Sequence, residues 1–194
     1  MKNKSGKVLN LPNILSLLRV FLAPLVLLFL TLNVSGPVSF LVLWGLEAPT
    51  WGDILAGGVF IVAAITDSLD GYIARKRRLV TNLGKFIDPL ADKVLVIAAM
   101  LALVELHRIP SWIVLVIITR EFVVTGLRLV AAAEGVVIAA SKGGKLKTVL
   151  QIVALTLLIL KVPGGMIVMW AAMILTVWSG MEYLIGGSRL LMDS

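Results

Sequence analysis

Long apolar stretches separated by short polar segments run along most of the 194 residues. Each stretch is near the length of about 20 residues that an α-helix needs to cross a hydrocarbon core. The fold class predicted is therefore all-α: an integral membrane bundle of six transmembrane helices, in a single domain of residues 1–194. The predicted helices are 13–34, 53–75, 86–106, 110–133, 147–162 and 166–188. A shorter apolar run, Phe40 to Leu46, predicts a short interfacial segment in the N-terminal region or an extension of the first hairpin.

The composition agrees with a membrane protein. Hydrophobic residues make up 59% of the chain and the mean hydropathy is +1.03, which is too apolar for an ordinary soluble domain. The chain contains no cysteine, so disulfides and thiol catalysis are excluded.

Basic residues predict the orientation of the bundle. With a cytoplasmic N-terminus, only Arg108 and Lys161 among the loop cations fall outside, as the positive-inside rule requires. The net charge of +7 then lies along one membrane face, where anionic lipid headgroups and phosphorylated substrates are simpler partners than nucleic acid. The cations expected at cytoplasmic helix ends are Lys2, Lys4, Lys7, Arg75, Lys76, Arg77, Arg78, Lys142, Lys145, Lys147 and Arg189.

Four aspartates interrupt the apolar pattern between residues 67 and 92, in the segment DSLDGYIARKRRLVTNLGKFIDPLAD. An ionised side chain in a bilayer costs about 2.5–3.5 kcal/mol even on the most lenient scale, so bound cations are the expected compensation. Asp67 and Asp70 are three residues apart and Asp88 and Asp92 four, so on helices each pair shares a face. Oxygen ligands favour Mg²⁺ or Mn²⁺. Two such ions suit an in-line displacement at phosphorus.

Four neighbouring residues fit the binding of a phosphate ester. Gly71 and Ala74 carry almost no side chain and would let a bulky phosphate approach the helix. Arg75 would supply a forked cation to phosphate oxygens, and Thr81 a hydroxyl to a nucleotide.

The string DxxDGxxAR, followed after eight residues by GxxxDxxxD, resembles the signature of the CDP-alcohol phosphatidyltransferases. The resemblance implies that an alcohol hydroxyl attacks the phosphatidyl phosphorus of a CDP-linked lipid and that CMP leaves. It also implies that Asp67 and Asp88 bridge two metal ions and that Asp70 completes one metal site. Asp92 would bind the second ion and act as the general base, while Gly71, Arg75 and Thr81 would contact the CDP-lipid.

The residues that bind the alcohol are predicted from weaker signals. Arg120 and Glu121 interrupt the fourth apolar stretch, Arg128 follows on a similar face, and Lys142 and Lys145 open the fifth. We expect these cations to converge on the cytoplasmic side, where they would favour a phosphate-bearing alcohol over choline or ethanolamine. For Arg120, which lies beside Glu121, a plain ion pair between helices is the alternative. A role in topology or snorkelling is the interpretation preferred for Lys147.

Longer segments are similar to the bacterial phosphatidylglycerophosphate synthases: NLPNILSLLRVFLAP, NLGKFIDPLADK, REFVVTGLRL and ASKGGKLKT, in this order. That resemblance implies CDP-diacylglycerol and glycerol 3-phosphate as substrates, a homodimer, and a multi-pass location in the bacterial cytoplasmic membrane. The N-terminus and active site would lie on its cytoplasmic side. The implied glycerol-3-phosphate contacts are Arg120, Lys142 and Lys145, with Arg128 and Arg189 as further candidates. Asn13, Ser16 and Arg19 would touch the cytidine diphosphate, unless they serve as a helix cap and a snorkelling arginine.

Other functions are less consistent with these residues. The same chemistry with another acceptor, phosphatidylglycerol for cardiolipin or inositol phosphate, stays open. A cation transporter would have no use for Gly71, Ala74 and Arg75, and an arginine beside the aspartates would repel a passing cation. A non-catalytic lipid-binding scaffold is disfavoured because all four aspartates are present.

Overall fold

A computed structural model describes residues 11–32, 48–77, 82–133 and 142–192 of the chain. Six α-helices account for nearly all of these described residues. They are α1 (Leu11–Thr31), α2 (Trp51–Arg77), α3 (Asn82–Glu105), α4 (Ser111–Ala133), α5 (Lys142–Ile159) and α6 (Gly165–Met192). The predicted all-α fold and each of its six helices are therefore confirmed.

The helix boundaries differ from the predicted ones by up to five residues. The largest difference is at α5, which begins at Lys142 and not at residue 147. The extra turn, Lys-Gly-Gly-Lys-Leu, is polar, so it forms part of the helix without adding to the apolar pattern from which the helix was predicted. The interfacial segment predicted at Phe40 to Leu46 lies outside the described residues.

The contacts divide the chain into two compact units. The first consists of Met1–Leu106 with Ile159–Val162 and the second of His107–Leu158 with Pro163–Ser194. In the first unit α1 packs along both α2 and α3. Its buried side chains include Val26, Phe60 and Leu103.

The start of α2 is fixed by a capping box and an ion pair in the first unit. The Thr50 backbone N–H donates to Asp53 Oδ2 at 2.8 Å, and the Asp53 N–H donates to Thr50 Oγ1 at 3.2 Å. Lys161 approaches the same Asp53 Oδ2 at 3.6 Å and donates to the Ala48 carbonyl at 3.4 Å. Asp53 is 1% exposed, so these partners compensate a buried charge.

In the second unit α4 packs against α6. Ile113, Ile117 and Met169 are buried, and the rings of Trp112 and Trp170 meet edge to face with centroids 5.2 Å apart. The turn before α4 contains His107, an exposed residue with φ 57°, a conformation in which histidine is enriched among residues other than glycine. His107 thus has a conformation suited to the turn that follows α3.

The outer faces of the helices are apolar. Phe21 is 70% exposed, Ile167 75% and Trp178 72%. Exposed apolar surface of this extent marks a membrane or partner contact, not a water-facing surface. Within the described residues, Ile14–Thr31 and Gly165–Ile185 are long and apolar enough to cross a membrane. Two candidate spans are thus found, while six crossings remain a prediction.

Candidate active site

The four motif aspartates lie on two consecutive helices of the first unit. Asp67 and Asp70 belong to α2, and Asp88 and Asp92 belong to α3. Because both segments are helical, spacings of three and four residues place the two members of each pair on one face, about one turn apart. The helical placement on which the predicted metal site depends is therefore present in the backbone.

The aspartates of α2 also lie at nearly the same distance from the end of α2 as the aspartates of α3 lie from the start of α3. Only four residues separate the end of α2 at Arg77 from the start of α3 at Asn82. Counted from these two ends, Asp70 and Asp88 are seven and six residues into their helices, and Asp67 and Asp92 are each ten residues in. At a rise of about 1.5 Å per residue, the first two positions lie roughly 10 Å from the helix ends and the other two roughly 15 Å. In a helical hairpin the four positions therefore form two matching levels.

For several residues predicted to contact the CDP-lipid, the structure describes only the backbone. Gly71, Ala74 and Arg75 follow Asp70 in α2, and Thr81 lies outside the described residues. The side chains of the motif, including the four aspartates, also lie outside the described part. Among the side chains that are described, no group of three or more His, Cys, Asp or Glu residues is placed to hold a metal. Metal binding by the four aspartates stays a prediction.

The polar residues of α1 lie against the same unit. Ser16 and Arg19 are each 1% exposed, and α1 packs along the two helices that carry the aspartates. Arg19 is therefore buried within the protein and does not snorkel outward. The alternative of a helix cap at Asn13 or Ser16 is wrong, because α1 already includes Leu11 and both residues lie inside it. The contact of Asn13, Ser16 and Arg19 with the nucleotide stays a prediction.

Arg120, one of the residues predicted to bind the alcohol, makes several contacts in the structure. Its Nε donates to the Thr176 carbonyl at 3.1 Å, and one terminal nitrogen donates to Ser179 Oγ at 2.8 Å. The other terminal nitrogen lies 3.4 Å from Glu121 Oε1. The guanidinium carbon also lies 5.8 Å from the centre of the Tyr183 ring, within the range of a cation–π interaction. Arg120 thus connects α4 to α6 through its hydrogen bonds, while its pairing with Glu121 lies within α4.

Lys147 and Gln151 were not predicted to belong to a site, and the structure buries both on one face of α5. Lys147 is 5% exposed and pairs with Glu121 Oε1, instead of serving as a topology signal at the membrane surface. Gln151, one turn later and 4% exposed, donates to Thr176 Oγ1 at 3.2 Å. The i, i+4 spacing of two polar residues in an apolar helix was the available sequence signal. We call Arg120, Glu121, Lys147, Gln151, Thr176 and Ser179 the polar cluster.

The other residues predicted to bind the acceptor alcohol fall into two groups. Some lie outside the polar cluster, and the side chains of the others lie outside the described part of the structure. The side chains of Arg128 on α4 and Lys145 on α5 are exposed. Lys142 is the first residue of α5 and Arg189 lies near the end of α6, and their side chains are outside the described part. The structure therefore groups Arg120 with Glu121 and Lys147, and does not bring Arg128 or Lys145 into that group.

Comparison with known proteins agrees with the placement of the motif. The family model described as CDP-alcohol phosphatidyltransferase matches residues 9–178, which include the aspartate helices, α4 and the first half of α6. The match thus extends well beyond the local motif.

Curated relatives are similar over nearly the whole chain. A Bacillus subtilis protein named CDP-diacylglycerol–glycerol-3-phosphate 3-phosphatidyltransferase is 46% identical, with 90% of this chain and 93% of the relative covered. A Mycobacterium tuberculosis protein (strain H37Rv) named probable phosphatidylglycerophosphate synthase is 39% identical, over 95% of this chain and 87% of the relative. A Rickettsia typhi protein with the same name as the Bacillus relative is 38% identical, over 90% and 94%. With the aspartate motif on two consecutive helices and these matches along its length, the chain belongs to the CDP-alcohol phosphatidyltransferase family.

Proposed function

We propose that this chain transfers the phosphatidyl group of CDP-diacylglycerol to glycerol 3-phosphate, giving phosphatidylglycerol phosphate and CMP in phospholipid biosynthesis. The observation that carries the proposal is the complete aspartate motif on consecutive helices of one unit, with its positions at two matching depths. The choice of acceptor is supported by relatives that are named for glycerol 3-phosphate.

The carboxylate ligands of the aspartate motif fit two divalent cations. Asp67, Asp70, Asp88 and Asp92 supply carboxylate oxygens only, a set that suits Mg²⁺ or Mn²⁺ and not a soft metal. These four residues would hold the two ions. When bound, the ions would supply positive charge that stabilises the pyrophosphate and the departing nucleotide.

The residues of the chain then divide the reaction between them. Asp92 accepts the proton of the glycerol 3-phosphate hydroxyl as that oxygen forms a bond to the phosphatidyl phosphorus. The bond from phosphorus to the CMP oxygen breaks, and CMP leaves with the electron pair. Gly71 and Ala74 leave room for the phosphate ester, while Arg75 and Thr81 bind the CDP-lipid. Asn13, Ser16 and Arg19 support the nucleotide side from α1.

The acceptor phosphate is proposed to bind cations of the second unit. Arg120 has five N–H donors, and its contacts with Thr176, Ser179 and Glu121 use three of them among the described residues. One N–H on each terminal nitrogen is left for phosphate oxygens in a forked arrangement. Lys145 is exposed at the start of α5 and adds a mobile point charge. Lys142, Arg128 and Arg189 complete the proposed set.

The membrane arrangement is proposed from the same residues. Six crossings of the bacterial cytoplasmic membrane, with the N-terminus and the aspartates on the cytoplasmic side, account for the distribution of loop cations. The soluble substrate glycerol 3-phosphate then enters from the cytoplasm, and the soluble product CMP leaves to it. A homodimer is proposed from the family resemblance.

The test is CMP release by the purified protein in detergent with CDP-diacylglycerol and Mg²⁺. Glycerol 3-phosphate is compared with glycerol, inositol phosphate and phosphatidylglycerol as acceptors. Of the four acceptors, only glycerol 3-phosphate should lead to CMP release. Adding a chelator should abolish that release. Release with phosphatidylglycerol or inositol phosphate instead would retain the transfer chemistry and overturn the proposed acceptor. A folded protein that releases no CMP with any acceptor would overturn the proposed function.

A further inference from the structure

The polar cluster joins three helices of the second unit. Glu121 of α4 contacts both Arg120 of the same helix and Lys147 of α5. Arg120 continues the connection to α6 through the Thr176 carbonyl and Ser179 Oγ. Gln151 makes a second connection from α5 to α6, at Thr176 Oγ1. The cluster therefore contains hydrogen bonds or ion pairs between every pair of the three helices.

Burial makes these contacts restrictive. Lys147 is 5% exposed, Gln151 4%, and Thr176 and Ser179 both 0%. Separating a buried charge from a partner is unfavourable, so the ion pair favours orientations of α5 that keep Lys147 opposite Glu121. Few orientations of α5 keep this ion pair together with the hydrogen bond from Gln151. The polar cluster thus fixes α5 both along its axis and in rotation about it.

Lys145 is placed by the same constraint. Two residues correspond to about 200° around a helix, so Lys145 and Lys147 lie on nearly opposite sides of α5. The structure agrees, since Lys147 is buried and Lys145 is exposed. Any rotation of α5 that moved Lys147 away from Glu121 would turn Lys145 by the same angle.

We propose that Glu121 and Lys147 are positioning residues for acceptor binding: their buried ion pair orients α5 and thereby places Lys145 for the phosphate of the acceptor. The pair acts through the orientation of α5 and does not touch the acceptor. The inference rests on the proposed function, because it takes Lys145 as a contact of that phosphate.

The test compares three variants, Glu121→Gln, Lys147→Met and the double variant, by steady-state CMP release. Each single change is expected to raise the KM for glycerol 3-phosphate about tenfold through misplacement of α5. The KM for CDP-diacylglycerol should stay within about twofold of the wild-type value. In the double variant neither charge of the pair is left, and Arg120 keeps its hydrogen bonds to Thr176 and Ser179, so the KM for glycerol 3-phosphate should return toward the wild-type value. Lys145→Ala provides the reference for loss of a direct contact.

Control variants separate positioning from a loss of folding. Glu182→Gln makes the same chemical change at an exposed position of α6 and should leave both KM values unchanged. Unfolding midpoints in detergent should fall by about 5–10 °C in Lys147→Met and recover in the double variant. Lys147→Arg keeps a cation opposite Glu121 and should keep the KM for glycerol 3-phosphate near the wild-type value. This conservative variant tests the proposal even if Lys147→Met does not fold.

Two results would overturn the proposal. A KM for glycerol 3-phosphate that is raised equally in Lys147→Met and in the double variant would make Lys147 itself a phosphate contact. Single variants with unchanged KM would show that the pair does not position the acceptor site. Failure of the proposed function is recognised separately, because the wild-type protein would then not release CMP with glycerol 3-phosphate. The same variants, assayed with the acceptor that the wild type does use, would still test positioning.

Discussion

The guanidinium of Arg120 lies against α6 where residue 180 has no side chain. A Cβ at Gly180 would lie 2.8 Å from Cγ of Arg120 and 3.2 Å from its Nε, both too close for an undisturbed arginine. The absence of a Cβ therefore lets the charged group reach the Thr176 carbonyl and Ser179 hydroxyl. Because the surrounding residues are apolar, these contacts replace the hydrogen bonds to water that an arginine side chain would otherwise need.

Asp92 is the residue whose removal should affect chemistry more than binding. Asp92→Asn keeps the size of the side chain but cannot accept the proton of the attacking hydroxyl. We expect kcat to fall by about 10²–10⁴-fold, the usual contribution of a general base. Binding of CDP-diacylglycerol, measured by titration with Mg²⁺ present, should change far less. A loss of binding as large as the loss of rate would contradict the role as a base.

Asp53→Asn is the matched control for this experiment. It makes the same chemical change at a buried aspartate that lies outside the motif. Asp53 belongs to the capping box of α2, so its substitution should lower the unfolding midpoint and leave kcat for CMP release unchanged. A loss of kcat in this control as large as in Asp92→Asn would show that kcat responds to general destabilisation.

For single residues, the sequence predicted the spacing of the motif better than it predicted which side chains contact one another. The aspartate spacing follows from helix geometry alone, and the structure places both pairs on helices as expected. The burial of Lys147 was not predictable in the same way. Whether a lysine at a helix start reaches headgroups or an ion pair depends on which residue of another helix faces it, and Glu121 is 26 positions away in the chain.

At the scale of elements, the start of α2 shows how a helix end can be held inside a membrane protein. Asp53 accepts from the Thr50 N–H and pairs with Lys161, which follows α5 in the chain but belongs to the first unit. Free backbone N–H groups at a helix start need such partners, especially where water is scarce. The capping box and the ion pair therefore stabilise the same helix end through one carboxylate.

Asp53→Ala should destabilise the protein without changing its chemistry. The loss of a cap costs about 0.5–2 kcal/mol, and Lys161 also loses its carboxylate partner. We expect the unfolding midpoint to fall by about 3–8 °C in detergent. Differential scanning fluorimetry checks this, with Thr50→Ala as a comparison that removes only the hydroxyl acceptor. An unchanged midpoint in Asp53→Ala would show that the capping box contributes nothing measurable.

The helices themselves were predictable because an apolar run of sufficient length leaves few alternatives in a membrane. Their ends were less so, since polar turns such as the first turn of α5 extend a helix beyond its apolar part. The capping box of α2 was also missed, although Thr50 and Asp53 have the required spacing. Local signals of this kind are hidden when the apolar pattern is the main guide.

At the scale of the whole molecule, the charges within α4 and α5 bear on the number of membrane crossings. These helices are less apolar because they contain Arg120, Glu121 and Lys147. Neither α4 nor α5 is among the two candidate spans found in the described residues. In the structure Glu121 contacts both Arg120 and Lys147 inside the second unit. Charges that are compensated in this way do not prevent a helix from lying in the bilayer. Six crossings therefore remain compatible with two apolar spans.

The six-crossing arrangement predicts which residues are accessible from each side of the membrane. The chain has no cysteine, so single cysteines introduced at chosen positions report without a background signal. With a cytoplasmic N-terminus, Ser5→Cys and Ser141→Cys should be shielded in intact cells from a membrane-impermeant maleimide. Ser111→Cys and Val162→Cys, at exposed positions next to the turns after α3 and α5, should react. Permeabilised cells should label the first pair as well, which controls for reactivity. Labelling of Ser141→Cys in intact cells would place the start of α5 outside and contradict both the crossing number and the cytoplasmic acceptor site.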